Sequence, residues 1–222
     1  MRPERLAAQE AGALPGDKEW VRRLLSIAVV GLILLGLGAP NAAAVGLSER
    51  QAVSKPARAA TSGGVLIAPE AACPGQDRRD APAAAQIQTM RCMTEYARKH
   101  AGLAPFAPVE QLDASAGAKS EDVLRCDDFS HYACGRDFTF WMRETGYLSE
   151  QCWRAGENLA WGSGDEGTAG SIFRAWMRSP GHRENILGEF SQLGVGLRVG
   201  DLEGLSGVRV WAQHFGSHCE AG

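Results

Sequence analysis

The amino-acid sequence predicts an α+β fold, and three observations carry that reading. Apolar residues recur at helical three- and four-residue steps early in the folded part, as at Ile87, Met90, Met93, Tyr96 and Ala97. In the last third the period changes to two. Val195, Leu197 and Val199 alternate with Gly196 and Arg198, and Val208, Val210 and Ala212 alternate with Arg209, Trp211 and Gln213. Six cysteines, all beyond an apolar N-terminal stretch and none in a Cys-x-x-Cys pair, predict a disulfide-stabilised domain. Helices first and strands last define the α+β class.

The elements follow in order. Arg22-Arg23 precede a charge-free apolar run over residues 24–37, then Ala39-Pro40-Asn41-Ala42-Ala43-Ala44. A positive flank, a short apolar run and an Ala-x-Ala site describe a cleavable signal peptide over residues 1–44, cut after Ala44. The stretch also nears the roughly 20 residues that a membrane span needs, so an uncleaved N-terminal anchor is the alternative. Either reading predicts a secreted or extracytoplasmic domain, in the second case tethered through residues 24–44. Residues 45–82 are rich in Ala, Gly, Ser and Pro without a period, the composition of a flexible tether, and disorder is expected there up to Cys73.

Residues 83–222 remain as one folded domain of roughly 140 residues, long enough to bury a core unaided. A helix begins near Pro82 and ends at Gly102. A second spans about 109–124 with Leu112, Ala116 and Val123 inward. Asp137 caps a third, which carries Phe138, Trp141 and Met142 and stops at Gly146. A strand is expected over 156–161, a helix over 168–177, a break at Pro180-Gly181, and a short helical turn over 182–187. The two alternating segments at the end form an antiparallel hairpin around a Gly-rich turn.

The formal charge is −3, unevenly placed: residues 1–60 carry eight Lys/Arg and five Asp/Glu, and the remainder 15 and 21. A mildly acidic folded part excludes nucleic acid as an expected partner. A monomer is expected, with membrane contact only through the N-terminal segment. Sequence does not choose among the pairings open to six cysteines. Cys126 with Cys134 is preferred because it closes a short loop. Cys73 with Cys92 would staple the arriving chain to the first helix, leaving Cys152 with Cys219.

Three segments single out a site. Gly156-Glu157-Asn158-Leu159-Ala160 lies on a strand. Ser179-Pro180-Gly181-His182-Arg183-Glu184-Asn185-Ile186-Leu187 opens a turn. Phe129-Ser130-His131 lies inside the Cys126–Cys134 loop. With Trp176-Met177 and the terminal Trp211-Ala212-Gln213-His214-Phe215-Gly216, these resemble the CAP superfamily (cysteine-rich secretory, antigen 5 and pathogenesis-related 1 proteins; SCP domain), in its short bacterial secreted branch, over about residues 84–216. The resemblance implies an α-β-α sandwich with a small antiparallel sheet between helices. It also implies a cleft of two histidines and two acids, of which His131, Glu157 and His182 match three. The fourth acid, expected near Trp176-Met177-Arg178-Ser179, is absent.

Two imidazoles and a carboxylate could ligate zinc or a similar divalent ion, though no cofactor is required by the sequence. They could equally serve as acid, base and orienting group. The favoured function is an extracellular binding module for a small apolar, lipid, peptide or cell-envelope ligand rather than an enzyme. The alternative is a metal-assisted, peptidase-like hydrolase using His131, Glu157 and His182.

The remaining candidates are weaker. Glu184, two residues past His182, is expected to face solvent. Asn158 should fix the surroundings of Glu157, and Asn185 the backbone of its turn. Core packing is favoured for His214 over a place beside the cleft, His100 suits a helix C-terminus, and His218 is assigned to the tail. Ser130 and Ser179 lie close in sequence to the histidines, so a Ser/His couple is expected only if it crosses, Ser130 to His182 or Ser179 to His131. The run of residues 162–167 spells Gly-x-Gly-x-x-Gly, but Asp165 and Glu166 would repel a pyrophosphate, so it reads as a surface loop.

Overall fold

The computed structural model of the chain describes residues 6–9, 66–148 and 152–218. Apart from residues 6–9, the expected signal or anchor segment, the tether up to residue 65 and Cys219 lie outside them. Strand β1 is Leu6–Gln9, followed by α1 (Ala83–His100), β2 (Ala107–Pro108) and α2 (Glu110–Cys126). Next come α3 (Phe140–Glu144), β3 (Trp153–Gly162), α4 (Ala169–Arg178) and α5 (Pro180–Ile186). The hairpin of β4 (Gln192–Leu202) and β5 (Leu205–His218) ends the described chain.

Local chemistry sets the boundaries. Arg98, Lys99 and His100 occupy the last turn of α1, where cations suit the helix C-terminus, and Gly102 at φ 72° lets the chain leave it. Thr168 caps α4 by accepting the Ser171 N–H, and Pro180 opens α5 at a position needing no donor. The hairpin turns at Glu203 and Gly204, both at positive φ, the geometry that matches strand twist.

The sheet order is β1-β3-β5-β4-β2, antiparallel except for the short β2 beside β4. Helices cover both faces, so the fold is the α-β-α sandwich expected. On one face Met90 and Met93 of α1, Phe173 and Trp176 of α4 and Ile186 of α5 pack with Val195, Leu197, Trp211 and Phe215. On the other, Ala116 and Val123 of α2 pack with Leu159, Trp161, Val210 and Ala212. The inward positions predicted for α2, Leu112, Ala116 and Val123, are fully buried.

Two glycines decide how close α2 comes. A Cβ on Gly194 would lie 2.1 Å from the backbone of Leu112, and one on Gly196 would lie 2.3 Å from that of Ala116. With no side chain there, α2 lies directly on β4 and brings its polar residues within reach of β5.

Order begins earlier than the sequence suggests. Leu66 and Ala68 are buried, and Gln76 donates to the Ala68 carbonyl at 3.0 Å. The Gly170 N–H donates to Gln76 O at 2.8 Å, and Arg174 pairs with Asp77. Residues 66–82 are therefore a packed arm rather than the end of a tether. Turns, polar bonds and the Cys73–Cys92 disulfide hold the arm, so it has no period to read. Cys126–Cys134 also forms, and Cys152 is disulfide-bonded. His218 ends β5 opposite Trp153, donating to Tyr147 O at 3.0 Å, instead of lying in a tail.

Candidate functional site

Glu157 sits in the middle of β3, directly opposite His214 on β5, and both are fully buried. His214 donates from Nε2 to Glu157 Oε2 at 2.7 Å, and its Nδ1 meets the buried Ser115 hydroxyl at 2.5 Å. The other carboxylate oxygen, Oε1, accepts from His131 Nδ1 at 2.5 Å. The result is a hydrogen-bonded chain, Ser115 to His214 to Glu157 to His131. It runs from the interior to a ring that keeps 12% of its side-chain surface.

The electrostatics follow from this chain. Burial alone would raise the Glu157 carboxyl. Hydrogen bonds from His131 and His214, with the charges of His214 and Lys119, outweigh it and hold the group at about 2. Lys119, one turn after Ser115 on α2, is 1% exposed and donates from Nζ to the His131 carbonyl at 2.7 Å. Burial pushes its amine down, partly opposed by Glu157, Asp122, Asp128 and Asp137.

The loop carrying His131 is fixed from below. Buried Asp122 accepts from Arg136 Nη1 through both oxygens at 2.9 Å, from Arg125 at 2.6 Å and from Trp141 Nε1 at 2.7 Å. These bonds outweigh burial and keep Asp122 ionised below its ordinary range. The Cys126–Cys134 bond closes the same loop. It presents Tyr132, the neighbour of His131, with 68% of its surface open.

His182 is placed from the opposite face of the sheet. Asn158 Nδ2 donates to the His182 carbonyl at 3.1 Å and to Gln213 Oε1 at 3.2 Å. Asn185 Nδ2 donates to Asn158 Oδ1 at 3.0 Å and to the Glu157 carbonyl at 3.2 Å. The two asparagines thus clamp α5 to β3: Asn158 fixes the surroundings of Glu157 as expected, whereas Asn185 reaches across to β3 instead of serving the backbone of its own turn. The His182 ring lies near Trp176, its Nδ1 pairs with Ser179 Oγ at 2.7 Å, and its buried Nε2 has no hydrogen-bond partner among the described residues. Burial first, and then the nearby His131, lower His182 to about 4.

Of the residues singled out from sequence, His131 and Glu157 are in direct contact. His182 is close enough to His131 to feel its charge, but no hydrogen bond joins it to Glu157. His214 is buried as expected, yet it is bonded to Glu157 rather than serving as core packing. Ser115 and Lys119 were missed. Their signal was present, since polar residues at 115 and 119 fall beside the inward stripe of Leu112 and Ala116. Two Ser/His couples form, Ser179 with His182, three apart across the start of α5, and Ser115 with His214, and neither is one of the crossing pairs expected. Glu184 is exposed, and the glycine-rich run forms a short 3-10 turn at Gly164–Gly167.

The donor set does not fit a zinc centre built from His131, Glu157 and His182. Both Glu157 oxygens are taken by rings, Ser179 occupies one nitrogen of His182, and a buried ammonium stands beside them. Among the described residues no group of three or more His, Cys, Asp and Glu side chains is arranged to hold a metal ion. No step is assigned to a metal.

Comparison with known proteins agrees with this architecture. An uncharacterized protein of Bacillus subtilis, YkwD, is 34% identical over 124 residues, 55% of this chain and 44% of the relative. An outer surface protein of Borrelia burgdorferi shares the fold at TM-score 0.52 and 16% identity, over 63% of this chain and 97% of that one. An extracellular SCP-domain protein of Bacillus anthracis aligns at TM-score 0.49 and 23% identity, over 60% and 40%. The chain thus spans less than half the length of the two Bacillus proteins. The cysteine-rich secretory protein (CAP) family matches residues 93–215, more than half of the sequence, and the chain belongs to that family.

Proposed function

We propose that this chain is an extracytoplasmic binding module whose recognition surface is the His131–Tyr132 loop over the Glu157 cleft, taking a peptide or cell-envelope ligand without turnover. The observation that carries the reading is Tyr132. A large aromatic ring, 68% exposed, is held beside His131 in a loop closed over eight residues by Cys126–Cys134. A rigid, exposed ring with a polar tip contributes contact area at low entropic cost, the usual profile of a binding anchor. The acid-base groups are pinned rather than poised. Glu157 has both oxygens engaged, and Ser115, the hydroxyl that ends the chain, is fully buried away from substrate.

An extracytoplasmic location is supported by the disulfides, which persist in oxidising compartments. The Borrelia protein that shares the fold is itself an outer surface protein. A second reading, hydrolysis with His131 as general base oriented by Glu157, has one observation in its favour, the carboxylate–imidazole contact at 2.5 Å.

The test is a pull-down of the protein on purified cell-wall fragments and on immobilised unstructured peptide, with Tyr132→Ala alongside. Binding should fall about ten-fold or more in Tyr132→Ala at unchanged melting temperature. Equal binding by Tyr132→Ala, or peptide cleavage that disappears in His131→Ala, would overturn the binding reading.

A further inference from the structure

The family resemblance implies a cleft of two histidines and two acids, and three features of this chain bear on whether that cleft can take a divalent cation. The fourth acid is missing from the Trp176-Met177-Arg178-Ser179 segment. The remaining acid, Glu157, has both oxygens engaged by imidazoles, Oε1 by His131 and Oε2 by His214. And α2 places an ammonium, Lys119, 1% exposed, under the His131 loop.

A buried ammonium is costly unless something nearby compensates for its lost hydration. Here the compensation is visible. Nζ donates to the His131 carbonyl at 2.7 Å, and the carboxylates whose charge it feels, Glu157, Asp122, Asp128 and Asp137, come from β3, α2 and the loop that follows α2. Asp122 is shared with Arg125, Arg136 and Trp141, which leaves Glu157 as the fully buried anion of the cleft without a guanidinium. Lys119 thus grips the backbone of one expected ligand, His131, and stands in the field of another, Glu157. A divalent ion on these side chains would meet a fixed positive charge in a low-dielectric setting.

We propose that Lys119 is the resident cation of this cleft: its ammonium balances the buried Glu157 and fixes His131 through the backbone, so the site works without a metal ion. Lys119 is a positioning residue, since it touches the backbone of His131 rather than the open surface. The inference holds whether the cleft binds a ligand or catalyses, so failure of the Tyr132 test leaves it standing, and its own failure leaves that test untouched.

The experiment is a zinc titration of the full chain, read through the histidine ring NMR signals of His131 and His182. Three proteins are compared: the natural one, Lys119→Gln and Lys119→Arg. Glutamine removes the charge but keeps a donor for the His131 carbonyl, whereas arginine keeps the charge. The natural protein and Lys119→Arg should show no zinc-dependent shift of either ring. Lys119→Gln should gain one, with affinity at least about ten-fold above the natural protein. A response of His131 and His182 to stoichiometric zinc in the natural protein overturns the proposal and needs no variant to be folded. A folded Lys119→Gln that stays silent to zinc overturns it as well.

Discussion

Glu157 and Asn158 are neighbours on one strand, pair across to His214 and Gln213 on the next, and point to opposite faces of the sheet. All four are fully buried, yet the two faces use different chemistry. On the α2 face the row is ionisable, a carboxylate between imidazoles, and it reaches the surface through His131. On the α4–α5 face the row is neutral. Asn158 holds α5 by the His182 carbonyl, and Gln213 donates to Thr94 of α1 at 2.9 Å. Amides give fixed bonds that no pH change alters, which suits joining three elements. Charges bring a desolvation cost and a response to pH, which is tolerated where a group must face a ligand.

The largest break in this comparison is His214→Leu. It leaves Glu157 as a buried anion with one of its two ring partners gone, and removing one member of a buried pair costs about 3–5 kcal/mol. Urea unfolding at neutral pH should show that loss. The loss should shrink in acid, because the Glu157 advantage is present above its ordinary 4.5 and disappears as pH falls through about 2. A variant as stable as the natural protein at neutral pH would mean that the ionic row is not a structural unit.

Asn158→Ala tests the neutral row. It strips donors from the His182 carbonyl and Gln213 Oε1 and the acceptor from Asn185. Unpaired buried polar groups of this kind cost about 2–3 kcal/mol together, less than an unpaired charge. The expected loss is the same at every pH from neutral to mildly alkaline, measured by urea midpoints. A pH-dependent loss would erase the distinction between the faces.

How much of this was legible in the sequence depended on whether the information was local. Ile87, Met90, Met93 and Ala97, or Val208, Val210 and Ala212, announce their elements because each residue repeats its neighbour's environment at a fixed step. The alternation even placed His214 on the face of Val210 and Ala212. Its partner could not be read, because Glu157 is 57 positions away and lies on β3, which pairs with β5 without a hairpin turn to fix their register. The packed arm over 66–82 was illegible for a related reason. Leu66 is buried among core residues of other elements, and Gln76 bonds Ala68 within the arm and the Gly170 N–H of α4, so no period forms. β2 is only two residues long and pairs only with Gln192 and Leu193. Conversely, Ser179 and His182 meet because three residues span one helical turn, a local rule that applied and was overlooked.

The smallest effect sharpens the comparison at the point where the faces meet. His182 belongs to the neutral side through its backbone but carries a titratable ring, with its Nε2 buried and unpaired among the described residues. Its ordinary value of 6.5 is lowered to about 4, so the unfolded chain takes up a proton that the folded one refuses. Stability from this group is therefore complete above 6.5 and is lost as pH falls from there to about 4. Allowing for solvent screening, the loss should be about 2 kcal/mol. In His182→Asn that window should flatten, while the acid-side decline below 4.5, which belongs to Glu157, should persist. Urea midpoints between neutrality and mild acid separate the two windows. If His182→Asn removes both, the histidine and the carboxylate titrate as one coupled unit across the sheet and the two faces are not independent. If it removes only the upper window, the amide clamp positions His182 but leaves its charge chemistry separate from the Glu157 chain.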